Sequence, residues 1–133
     1  MEDNQLYKNI KNSIKGNKAI IKDFKGVIVE ESLNDNRVLN NLKVIGLSIS
    51  DHENPSERRH LYTVIVSEEE IEKLSQCIKD EWYMHFLKGR QIIAIFRGKK
   101  FTFDYEDKST WKPAIEYGLS IGIPESQLDF LMH

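Results

Sequence analysis

Three strand-like segments stand almost end to end in the second half of the chain: EWYMHFL (81–87), QIIAIF (91–96) and KFTFDY (100–105). Only KGR (88–90) and RGKK (97–100) separate them, and each connector holds a glycine. Tight hairpin turns need positive φ, which glycine adopts without steric cost. Segments rich in β-branched and aromatic residues, joined this closely, pair with their sequence neighbours. The spacing therefore predicts an antiparallel meander of three strands.

The first half supplies three more strands. KGVIVEESL (25–33) is β-branched at Val27, Ile28 and Val29. KVIGLSIS (43–50) alternates, with Ile45, Leu47 and Ile49 on one face, and reads as a half-buried strand. HLYTVIV (60–66) has little polarity and reads as central. Between them lie an Asn-rich turn (34–42) and a charged loop (51–59).

The helices have their own signals. In SEEEIEKLSQCIKD (67–80), Ser67 followed by Glu70 is a capping box, and three glutamates suit the positive end of the helix dipole. Ile71, Leu74 and Ile78 form its apolar stripe, with Cys77 beside it as a small core residue. A later helix starts at a Ser109 or Thr110 cap, carries Pro113 in its first turn, places Trp111, Ile115 and Leu119 on one face, and stops at Gly122. PESQLDFLM then predicts a closing helix. At the start, Leu6, Tyr7, Ile10 and Ile14 share a helical stripe ending at Gly16; residues 1–16 are a peripheral helix or partly disordered.

The expectation is one α+β domain over 1–133, with a mainly antiparallel sheet of about six strands and helices packed on one face. A net charge of −2 gives no global field toward a polyanion or an anionic membrane. One cysteine excludes an intrachain disulfide, no apolar run is long enough to span a bilayer, and the polar N-terminus is unlike a secretory signal. Cytoplasmic location is the expectation.

The densest chemistry is WYMHF (82–86). As a strand it sends Trp82, Met84 and Phe86 one way and Tyr83, His85 and Leu87 the other. The four histidines show no metal-ligand spacing, and the chain has no nucleophile elbow or phosphate loop, so no metal and no cofactor is expected. Lys88 and Arg90 fall at one end of the meander, and Arg97, Lys99 and Lys100 at the other.

STWKPAIEYGLSIGIPESQLDF (109–130), with HLYTVIVSEEEIEKL (60–74) and WYMHF, resembles a group of small uncharacterised bacterial and archaeal proteins of about this length. The resemblance covers most of the chain after residue 25. It implies a stand-alone cytoplasmic protein and carries over no catalytic residue.

Function is read as non-catalytic binding of a protein partner or small ligand, or self-association into a homo-oligomer, with no membrane role. Tyr83, His85, Trp111 and Tyr117 are the expected surface, because aromatics with polar tips suit interfaces. One alternative is a small enzyme using His85 with His60 and a carboxylate, Asp51 or Glu81, for acid–base chemistry or a metal site. Another is single-stranded nucleic-acid binding at the basic hairpin tips, which the overall charge disfavours.

Overall fold

The computed structural model describes residues 23–130, so the expected helix over residues 1–16 lies outside the described residues. Six strands form one antiparallel sheet: β1 (Phe24–Val29), β2 (Lys43–Ile49), β3 (His60–Val66), β4 (Met84–Lys88), β5 (Gln91–Phe96) and β6 (Lys99–Asp104). Their order is β2-β3-β1-β4-β5-β6, with β2 and β6 at the edges. The α+β class and the C-terminal meander are as expected. Gly89 and Gly98 take φ of 60° and 71° in the two hairpin turns, the conformation for which the connectors need glycine.

Helix α1 (Glu68–Leu74) begins at the predicted capping box. The Ser67 side chain accepts from the Glu70 backbone N–H at 3.1 Å, and the Glu70 carboxylate accepts from the Ser67 N–H at 2.9 Å. Helix α2 (Lys112–Ser120) follows a 3₁₀ turn, Lys108–Trp111, that Asp107 caps in place of Ser109 or Thr110. The Thr110 hydroxyl is instead engaged with the Asp104 backbone. The expected closing helix is only a 3₁₀ turn, Glu125–Gln127.

The helices do not share one face of the sheet. One core joins Phe24, Ile28, Val64, Met84, Phe86, Ile93 and Ile95 to Ile71 and Leu74 of α1. The other joins Ile92, Ala94, Phe96 and Phe103 to Trp111 and Ala114 of α2 and to Leu128 and Phe130. The reason is β5: Ile92 through Phe96 are all buried, so both of its faces need cover. The connections β1-to-β2 and β3-to-β4 serve the first face, contributing Leu33, Leu39 and α1. The chain leaving β6 folds back over the second. On α2 the buried positions are Trp111, Ala114 and Gly118, while Leu119 is exposed. Gly118 sits under the Leu128 side chain, which a Cβ there would meet at 2.6 Å, so the helix is turned away from the expected Ile115–Leu119 stripe.

Trp82, Met84 and Phe86 do face α1: Met84 and Phe86 are buried in the first core and Trp82 packs against its edge. Phe86→Ala should cost about 3–5 kcal/mol, read from urea unfolding; a loss below about 1 kcal/mol would remove Phe86 from the core. Ser67→Ala should cost about 0.5–2 kcal/mol, and an unchanged unfolding midpoint would place the helix start elsewhere.

Candidate functional site

The four aromatic and imidazole residues expected to form a surface lie in or against the second core. Trp111 is 4% exposed and its indole N–H donates to the Asp104 carbonyl at 2.7 Å. The Tyr83 ring meets Phe96 and Phe130, and its hydroxyl donates to the Gln127 carbonyl. Burial raises the Tyr83 pKa. His85 stacks on Tyr83 at 6.1 Å between ring centroids and meets Phe130 edge-on at 5.6 Å. Tyr117 packs on Phe96 and Phe101. The structure thus brings the four together as packing around Phe96 and Phe130, because the C-terminal segment folds across them.

The acid–base group is not assembled. The register aligns Val64 with Gly26 and Gly26 with Phe86. His60 therefore shares the α1 face with Val64 and Phe86, whereas His85 lies on the opposite face. Asp51 is in the exposed β2–β3 loop. Glu81 precedes β4 with a left-handed φ of 67°. Among the described residues, no three His, Cys, Asp or Glu side chains are placed to hold a metal ion.

The basic hairpin tips stay apart, and their own neighbours engage them. Arg90 is paired with Asp104 at 2.7 Å, and Lys100 with Glu72 at 2.5 Å. Arg97 donates to the Ile78 carbonyl. Lys88 and Lys99 sit over the rings of Phe24 and Tyr117.

A different cluster forms where β1 ends beside the start of β3. Period two puts His60 and Tyr62 on one face, and the 3₁₀ turn Glu30–Ser32 brings two carboxylates to them. The Glu30 carboxylate accepts from the Tyr62 hydroxyl at 2.8 Å and from the Asn36 amide at 2.9 Å. Glu31 meets the His60 Nδ1 at 2.7 Å and accepts from the His60 backbone N–H at 3.0 Å. Asn36 and Tyr62 hold the Glu30 pKa below the usual carboxylate value. At Glu31 burial acts upward, but the bonds from His60 outweigh it and the net direction is down. The Glu31 hydrogen bond raises the His60 pKa, and the Glu30 bond raises that of Tyr62. Among the described residues, no hydroxyl or thiol bonds the His60 ring. The cluster holds charge and orientation but has no nucleophile.

Beside it runs the most unusual element. Leu47 lies opposite Tyr62 and Ile49 opposite His60. Every residue of β2 except Gly46 is exposed. Val44, Ile45, Leu47 and Ile49 are 40%, 50%, 59% and 52% exposed. The alternation in 43–50 correctly marked a strand, but its apolar face is not half-buried, because among the described residues no element covers this edge. Glu30, Glu31 and Tyr62 were not legible as a group, since residues about 30 positions apart meet only through strand pairing.

Comparison with known proteins finds no matching family model, no matching curated protein and no matching solved structure. No helix among the described residues is long and apolar enough to cross a membrane.

The His60–Glu31 pair has a defined pH signature. A raised folded pKa at His60 means that its contribution is fully present below the ordinary histidine value and is lost as pH rises through the folded value. The lowered Glu31 pKa means that its contribution is lost as pH falls through that value. NMR titration should place the His60 midpoint above 6.5, and Glu31→Gln should bring it back down. Equal midpoints in the two proteins would show that the carboxylate does not act on the ring.

Proposed function

We propose that the protein is a non-catalytic interaction protein and that β2, with the adjoining Glu30–Glu31–His60–Tyr62 cluster, is its contact surface. The observation that supports this reading is the exposure of four large aliphatic side chains on one edge strand. Contiguous apolar surface of that kind marks an association site. An uncovered strand edge also offers unpaired backbone groups to an incoming chain. The polar cluster supplies the rim: hydrogen-bonded carboxylates, an imidazole and a phenol set beside an apolar strip, in the arrangement common to protein interfaces. The cytoplasm is the compartment this reading takes, since the single cysteine leaves no internal disulfide for an oxidising one to form.

A photo-crosslinking residue at Leu47, in the full chain expressed in its native cell, tests the surface. The control carries the same group at Glu116, an exposed position on α2. Covalent adducts of defined mass are expected from position 47 and not from position 116. Absence of adducts at both positions, with the protein folded, would remove β2 as a contact surface.

A further inference from the structure

The two edges of the sheet are unlike. On β6, Lys99 and Lys100 stand at the start of the strand, and charged residues discourage edge pairing. On β2 the exposed side chains from Val44 to Ile49 are uncharged. This asymmetry disfavours head-to-tail joining of β2 to β6, which would propagate without closing.

The hydrogen-bond phase of β2 shows which backbone groups are on offer. The Ser50 N–H donates to the Arg59 carbonyl at 2.9 Å, so Ser50 points its backbone inward to β3. Antiparallel ladders alternate. Leu47 and Ile49, an odd number of positions from Ser50, therefore turn their N–H and C=O groups to the open side.

We propose that a second copy of this chain occupies that edge, as an antiparallel β2–β2 pair with its twofold axis at Leu47. The proposal rests on β2 being the contact surface and names its partner. In an antiparallel pair, directly opposed residues share a face. With Leu47 opposite its counterpart, Ile45 of each copy lies opposite Ile49 of the other, and the two Leu47 residues exchange N–H···O=C bonds. The exposed Ile45, Leu47 and Ile49 side chains then merge into one apolar stripe. A shift of two residues either way sets Lys43 or Asp51 against an isoleucine or leucine. The same register sets Lys43 of each copy opposite Asp51 of the other, so the two ends of the stripe are closed by opposite charges. The strand is irregular between Val44 and Gly46, and past that bend the contact is between side chains: the Lys43 ammonium and the Asp51 carboxylate. The pairing is isologous, so it closes as a dimer with the sheet continuous across both copies.

Sedimentation velocity and light scattering on the full chain should give twice the chain mass, weakening on dilution. Leu47→Lys puts two ammonium groups at the axis and should abolish the dimer; Leu47 is exposed, so the fold should persist by circular dichroism. Lys43→Asp and Asp51→Lys should each weaken the dimer roughly tenfold at low salt, and the double exchange should restore it. A monomer at all concentrations, a dimer indifferent to Leu47→Lys, or a double exchange no tighter than the single ones would overturn the proposal. Adducts from position 47 whose mass is not that of two copies would overturn the self-pairing and leave β2 as a contact surface for another protein.

Discussion

The sheet is continuous because two halves meet at one short seam. β2, β3 and β1 form one half and β4, β5 and β6 the other, and only Lys25–Leu87 and Gly26–Phe86 pair across the join. By contrast β1 and β3 pair over six residues, Phe24 to Val29. A ladder of two pairs is a weak bond by itself, so side-chain packing must hold the seam. Gly26 makes that packing possible. A Cβ there would meet the Phe86 ring and come within 2.6 Å of the His85 carbonyl, and the absence of one lets Phe86 lie directly over the β1 backbone. Phe86 is thereby fully buried beside Phe24 and Ile28, under α1. The Lys88 ammonium, 4.7 Å from the Phe24 ring centroid, closes one end of this contact.

From that seam the WYMHF stretch takes its character. Its residues are divided between two cores rather than gathered into a site. Met84 and Phe86 serve the α1 side; Tyr83 and Leu87 serve the side covered by α2 and the C-terminal segment. His85 belongs with the latter, against Tyr83 and Phe130. Three aromatics and an imidazole within five residues are what a central strand needs when both of its faces are roofed. The chemistry suggested by their density is used for cohesion, with Phe130 as the ring on which Tyr83, His85, Phe103 and Trp111 converge.

The consequence for function is a shift from the aromatic strand to the opposite end of the sheet. Where β1 hands over to its crossover, Glu30 and Glu31 anchor Tyr62 and His60, and those two face the exposed Leu47 and Ile49 across the β2–β3 pair. Polar groups already satisfied within the chain hold this corner in one geometry, which lowers the cost of ordering it on association. At the β6 edge, Lys100 is tied to Glu72 and Glu68 of α1 and Lys99 lies over Tyr117. One edge is thus charged and internally engaged, and the other is apolar and open.

What the sequence alone determined is local. The capping box at Ser67–Glu70, the glycines of the two hairpins and the period-two alternation of β2 and β4 depend on neighbours a few residues away, and each is found where the pattern placed it. Strand order depends on contacts between distant segments, and it decided the rest. It put the alternating Ile45, Leu47 and Ile49 at an edge instead of against a helix. It set His60 and His85 on opposite faces, since strand parity fixes a side only after the register across β3, β1 and β4 is known. It sent α2 to the face away from α1, because a central strand apolar on both sides needs two covers. A sequence states which residues must leave water; the tertiary structure decides which of them succeed, and at β2 the four aliphatic side chains remain on the surface.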